Sequence, residues 1–238
     1  MNIDEFVELS SSRRSIRRFK PDPVSDEIIE KILEAARWAM SGANGQPWEF
    51  IVVKDPETRN KLAEAKIMPG KMSTALESIR VKELRMPYHR AEPEISPQVH
   101  FQVAPVIIVV CGDPLTAQAS VLNTVATRRW IVDENMANVT YAINLAAAAA
   151  GLGAQWVSVN WLYEQYLKPI LGVPPSIRIF NMVPIGYPAY TPKPTFRRDL
   201  AEITHYEKYD MSKYRSPDDV REFIRQLRER SKSAYPLK

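Results

Sequence analysis

Hydrophobic and polar positions along this chain follow two different periods. Ile28, Ile29, Ile32, Leu33 and Ala36 recur at helical spacing, which predicts a helix from about Asp26 to Met40 with one buried face. Ser25 stands where an N-cap belongs, and Asp26 and Glu27 suit the positive end of that helix. Shorter helices are predicted over Ile3 to Leu9, about Pro56 to Ala65, and about Trp161 to Leu171. The stretch "EFIVVKD" has strand character and is stopped by Pro56. "APVIIVVCGD" is a continuous apolar run, the pattern of a strand covered on both faces. A long helix is expected from about Arg128 to Ala150, apolar on nearly every side in its second half, so buried in the core or against a second subunit. Gly151 stands where a C′ residue ends a helix. "AQWVSV" and "IRIFNMVPIGYP" are the next two strands, and a last helix runs from about Pro217 to Ser231. Strands alternate with helices throughout, so the class is α/β or α+β.

Between these elements lie segments with little periodicity. "SGANGQPW" is a loop by composition. Residues 66–100 carry four prolines among mixed aromatics and charges. A connection of that length is usually functional, and it is expected to be a small helical insertion or lid.

Composition narrows the chemistry. With 238 residues, 45% hydrophobic and 25% charged, one domain is enough to hold a sizeable core without disulfides. Cys111 is the single cysteine, so an intrachain disulfide is excluded, and its place after "VIIVV" marks it as a small buried hydrophobe. His89, His100 and His205 are far apart and match no metal-ligand spacing, so no metal site is expected. There is no nucleophile elbow and no P-loop. In "GLGAQW" a tryptophan stands where a dinucleotide fingerprint needs a third small residue, and the motif precedes a strand instead of following one. The acidic N-terminal stretch is no signal peptide and the alanine-rich helix is too weakly apolar for a membrane span, which makes the cytoplasm the expected location.

The net charge of +4 is modest, but it is locally concentrated. "SSRRSIRRF" places Arg13, Arg14, Arg17 and Arg18 around Ser15, Ile16 and Phe19. In an extended chain, Arg13, Ser15 and Arg17 share one face, and Arg14, Ile16 and Arg18 the other. Two readings are open at this point. One is a solvated basic edge anchored by Ile16 and Phe19. The other is anion recognition, since guanidinium groups fork onto phosphate oxygens and a serine hydroxyl adds a short hydrogen bond. Arg197 and Arg198 in "TFRRDL" could converge on the same anion.

"RRSIRRF" resembles the RSxRxF signature of the nitroreductase family of flavoenzymes, and "SGANGQPW" is similar to that family's S-x-x-N-x-Q-P-W loop. "NLAAAAAGLGAQW", "VPIGYP" and "RRDL" are similar to further family motifs, in the same order. The resemblance implies an α+β fold with a central mixed sheet flanked by helices and one long buried helix. It also implies an obligate homodimer, with flavin mononucleotide (FMN) at the subunit interface. Residues 1–238 would form one such domain, with 66–100 as the lid over the active site and 190–238 as a C-terminal extension.

By the same resemblance, Arg13 and Ser15, with Arg14 beside them, hold the phosphate and ribityl chain, and Arg17 lies near flavin N1 and O2. Arg197 is the C-terminal phosphate ligand. Thr195 stands where the family often has lysine, so Arg198 or Lys193 is the substitute cation. Ser41, Gly42, Ala43, Asn44 and Gln46 match the loop reaching the flavin of the other subunit. Ser158 and Val159 match the segment whose backbone amide faces flavin N5, although the acidic residue and glycine common there are missing. Met86, Tyr88 and His89, with Arg90, are the expected substrate contacts.

The implied activity is ping-pong hydride transfer from NADH or NADPH to an electron-poor acceptor such as a nitroaromatic or a quinone, with no catalytic side chain because the flavin carries the chemistry. The alternatives are a flavin storage or sensing protein without turnover, and a basic nucleic-acid-binding module. The latter is disfavoured by the lack of stacking aromatics around the arginines beyond Phe19. Neither nucleic acid nor membrane is an expected partner.

Overall fold

The computed structural model describes residues 1–67, 72, 75, 76, 79, 103–119, 121 and 130–234. The chain divides into two compact units, Met1–Gly70 with Glu94–Pro192, and Lys71–Pro93 with Lys193–Lys238.

The first unit is built on a five-stranded sheet. Its strands are β1 (Trp48–Val53), β2 (Val106–Gly112), β3 (Gly153–Ala154), β4 (Val157–Ser158) and β5 (Arg178–Gly186), in the order β1-β2-β5-β3, with β4 also on β5. Among the described residues all the strand pairs are antiparallel. The expectation of a mixed sheet is therefore corrected: the parallel pairing among the described residues is an isolated bridge, Ser15 to Ala154. "AQWVSV" is likewise not one strand. β3 and β4 are two short pieces that share the edge of β5.

β2 explains the layering. All seven of its residues are buried, as a doubly covered strand requires. Val106, Ile108 and Val110 face one hydrophobic cluster, which includes helix α2 (Asp26–Ala36) and the long helix α4 (Trp130–Ala149). Ile107, Val109 and Cys111 face a second cluster, with α3 (Pro56–Ala65) and α5 (Trp161–Leu171). Each fully buried aliphatic side chain contributes about 1.5–3 kcal/mol, so this strand is the axis of the unit. Burial pushes the Cys111 thiol up to about 12.

Local signals set most element ends. The Ser25 hydroxyl accepts from the Ile28 amide, and Asn160 caps α5 in the same manner. Gly151 adopts φ 72°, while the Leu152 amide donates to Ala147 and the Gly151 amide to Ala148, a Schellman ending. α2 stops at Ala36, short of the expected Met40, because the Ala39 amide bonds back to Ala36 and closes a turn there. The first helix, α1 (Ile3–Ser12), has no buried residue. α4 buries Val132, Met136, Val139, Ile143 and Ala147, while Asp133, Glu134, Asn138 and Tyr141 are exposed in the single chain. Its expected beginning at Arg128 lies outside the described residues.

Between α3 and α5, the Tyr163 hydroxyl donates to the Leu62 carbonyl at 2.8 Å. Buried Glu164 accepts from Arg178 and from the Ile179 amide, and Lys168 lies 3.3 Å away.

In the second unit, α6 (Leu200–Ile203) precedes α7 (Pro217–Ala234). Ser216 and Asp219 cap α7 reciprocally. The Phe196 ring sits 6.2 Å from that of Phe223, and the guanidinium of Arg230 lies 4.1 Å over Phe196. Among the described residues, no helix is long and apolar enough to cross a membrane.

Candidate functional site

The arginine segment lies along the free edge of β3. α1 ends at Arg13, whose amide donates to Leu9. Ser15 then bridges to Ala154, the Ile16 amide donates to the Ala154 carbonyl at 3.0 Å, and Phe19 bridges to Pro188 just beyond β5. Ile16 and Phe19 are buried and fix the segment from beneath. Gly153 permits this, because a Cβ there would lie 2.5 Å from Ile16 Cγ1.

With Ile16 pinned inward, alternation turns Arg13, Ser15 and Arg17 to the opposite side. Arg13 and Ser15 are half-buried and Arg17 is exposed. Among the described residues no carboxylate is paired with Arg13. The other two arginines are used differently. Arg14 turns back to donate to the Ser11 and Arg13 carbonyls at the end of α1, and Arg18 stacks over the Tyr190 ring at 4.9 Å.

A few residues further along the same edge, β4 offers a backbone donor. The amides of Gln155 and Val159 donate to the carbonyls of Pro184 and Phe180. In an antiparallel ladder alternate residues point their amides away from the partner strand, here Trp156 and Ser158. Within β4 itself, Ser158 is the position whose N–H faces outward, whereas that of Val159 is already spent inside the sheet. From Ala154 to Ser158 the extended path is about 13 Å.

The third component is the loop after α2. Ala43, Asn44 and Gln46 all have positive φ, at 52°, 54° and 42°, although none is glycine. Such backbone is costly for L residues and clusters at functional sites. The loop is held from inside and from α4. The Gln46 amide donates to the Ser41 hydroxyl at 3.1 Å, and the Gly42 amide to Asn135 Oδ1 at 3.0 Å. Asn138 Nδ2 donates to the Met40 carbonyl at 3.1 Å. At Gly42 a Cβ would meet Ile131 Cδ1 at 2.7 Å. Ala43, Asn44 and Gln46 are exposed.

Asn135 and Asn138 were not anticipated from the sequence. The available signal was that polar residues recur in the first half of a helix expected to be apolar on nearly every side only in its second half.

Arg197 and Arg198 belong to the second unit. Arg197 donates to the Thr195 hydroxyl and the Phe196 carbonyl, at 2.8 and 2.9 Å. Arg198 pairs with Glu202 at 3.2 Å. Met86, Tyr88 and His89 lie outside the described residues. A cavity of about 410 Å³ opens by Pro21, Pro23, Lys54 and Arg59. Its charges serve the chain itself: Lys54 pairs with Asp26, and Arg59 donates to the Lys54 and Ala104 carbonyls. Among the described residues, no group of three or more His, Cys, Asp or Glu side chains could hold a metal ion.

A half-buried cation beside a serine and an outward amide lie along one sheet edge, and a loop with three positive-φ residues follows α2. The sequence model of the nitroreductase family matches residues 11–187, which includes all three components. The chain belongs to the nitroreductase family. A protein of Archaeoglobus fulgidus whose name joins NADH dehydrogenase with NAD(P)H nitroreductase is 34% identical over 188 residues, 78% of this chain and 87% of its own. Iodotyrosine deiodinase 1 of Rattus norvegicus is 29% identical over 201 residues, 79% of this chain and 64% of its own. The solved FMN-dependent nitroreductase of Clostridium difficile R20291 shares the fold, with a TM-score of 0.62 at 24% identity, over 85% of this chain and 99% of that one.

Proposed function

We propose that this protein is an FMN-dependent oxidoreductase, working as a homodimer, that takes hydride from NADH or NADPH and delivers it to a nitroaromatic or quinone-like acceptor in two alternating half-reactions. The observation that carries this reading is the Ser15–Ala154 bridge, which puts Arg13, with no carboxylate partner among the described residues, and the outward Ser158 amide on one sheet edge. When bound, FMN supplies the hydride-transfer chemistry at its N5 atom.

The chain supplies position and charge. Arg13 and Ser15 hold the phosphate as charge-assisted donors. Arg17 offers fixed positive charge to the pyrimidine end of the ring, where reduction places negative charge. The Ser158 amide donates toward N5, in preference to that of Val159, which the sheet already uses.

The loop Ser41–Gln46 reaches the flavin of a second subunit. Large apolar side chains left exposed in the single chain support the dimer: Ile3 and Val7 on α1, Trp38 and Met40 before the loop, and Tyr141 on α4.

The visible absorption spectrum, recorded before and after anaerobic addition of NADH or NADPH, tests the reading. A flavin band that bleaches is the expected result. A flavin that binds and stays oxidised with both nucleotides supports storage or sensing instead. A protein that remains colourless with excess FMN overturns the proposal.

A further inference from the structure

Trp156, the residue before β4, and Ser158 in β4 lie on one face of the sheet edge, the side that faces α4. Trp156 is 37% exposed, yet its one polar atom is fully engaged: the indole N–H donates to Asn181 Oδ1 at 2.7 Å. Asn181 is 6% exposed and stands opposite Ser158 in the β4–β5 register. Its other amide atom, Nδ2, donates to Thr140 Oγ1 at 3.0 Å. Thr140 is wholly buried in α4 and donates its own proton to the Met136 carbonyl at 2.6 Å.

The direction of this chain is forced. Because the threonine proton is spent on Met136, its oxygen can only accept from Asn181, which turns Asn181 Oδ1 toward the indole. A buried network satisfied at every member holds its parts rigidly. What it holds is an aromatic side chain that remains 37% exposed, two residues from the amide proposed to meet the flavin.

We infer that Trp156 is a contact wall for the planar ring of the cofactor, and that Asn181 and Thr140 are positioning residues that lock its orientation from α4. The inference rests on the flavin reading above. It differs from the loop contacts of Asn135 and Asn138, which lie on an earlier part of the same helix and do not involve Trp156.

The test uses full-length protein labelled with 5-fluorotryptophan and titrated with FMN, following binding by flavin absorbance and Trp156 by fluorine NMR. Five tryptophans are present, and Trp156→Phe identifies the relevant line. We expect that line to move on FMN binding. In Asn181→Leu and Thr140→Val the line should broaden and the FMN-induced shift should fall, with FMN affinity weakened about tenfold, the effect of one lost buried hydrogen bond. Thr140→Ser, which keeps the hydroxyl, should restore wild-type behaviour. If FMN binds and the Trp156 line does not move, the inference is overturned while the flavin reading stands. An unchanged shift in both loss variants would reduce Asn181 and Thr140 to packing residues. Absence of FMN binding in the wild-type protein would remove the flavin reading and this inference together.

Discussion

The side chain of Ile16 lies directly over Gly153, so close that any Cβ at that glycine would stand 2.5 Å from Ile16 Cγ1, while the Ile16 amide donates to the neighbouring Ala154 carbonyl at 3.0 Å. One of the contacts that seat the arginine segment on the sheet edge therefore tolerates only glycine. Gly153→Ala should destabilise the protein by about 1–3 kcal/mol, the usual cost of overpacking. It should also weaken FMN binding by displacing Arg13 and Ser15. Thermal denaturation and flavin titration read the two effects; an unchanged affinity would separate the seating of the segment from the proposed site.

Arg13 and Arg18 make opposite forecasts, although both are arginines of one short cluster. Arg13→Ala removes a charged donor from the proposed phosphate site, and FMN affinity should fall by about 10- to 100-fold, the equivalent of about 1.5–3 kcal/mol for a charge-assisted hydrogen bond. Arg18 stacks on Tyr190, so Arg18→Ala should leave FMN affinity within about threefold of wild type and cost about 0.5–1 kcal/mol of stability. Equal losses of affinity would show general electrostatic attraction instead of a defined phosphate ligand.

The loop conformation at Ala43 gives a prediction of stabilisation. With φ at 52° an alanine costs about 1–2 kcal/mol that glycine does not. Glycine also loosens the unfolded chain, offsetting about 0.4–1 kcal/mol. Ala43→Gly should therefore raise the denaturation midpoint by the equivalent of about 0.5–1 kcal/mol. A lower midpoint would mean that packing against a second subunit, and not backbone strain, sets the preference for alanine.

Burial lowers the Lys66 ammonium to about 8, and its Nζ sits 5.4 Å from the centre of the Tyr163 ring. The unfolded chain keeps its proton to higher pH than the folded one, so the unfolded state binds more protons above pH 8 and stability rises from there toward pH 9. Beyond about pH 9 the gain is opposed, because the buried Cys111 thiol is pushed up to about 12 and holds its proton while the unfolded chain loses it. Urea midpoints at pH 7, 8 and 9 should climb across the upper interval in wild type and stay flat in Lys66→Met.

The parts of this molecule governed by local rules were legible in the sequence. Ser25, Asn160 and Gly151 mark helix ends because a cap is a contact between near neighbours. The apolar run of β2 announces a doubly covered strand. The motif residues of the arginine segment and the loop were legible as well. What they were attached to was not. The positive φ values of Ala43, Asn44 and Gln46 fall on residues with no glycine to mark them, and the loop that carries them is tied at Met40 and Gly42 by bonds from α4, more than 90 positions away. Asn181, Trp156 and Thr140 meet only through tertiary packing, so no spacing in the chain connects them. Arg14, indistinguishable by sequence from Arg13, turned out to cap its own helix. Side-chain direction at the end of a helix decides such cases, and sequence does not carry it.

The lone thiol in the middle strand has a practical consequence. Cys111 is buried in β2, between strands on both sides and beneath α3 and α5. A thiol-specific reagent can reach it only when the sheet opens, and no second cysteine competes for the label. The labelling rate of the unmodified protein therefore clocks large-scale opening directly. Any cofactor that binds only the closed form will slow that clock in proportion to how tightly it is held.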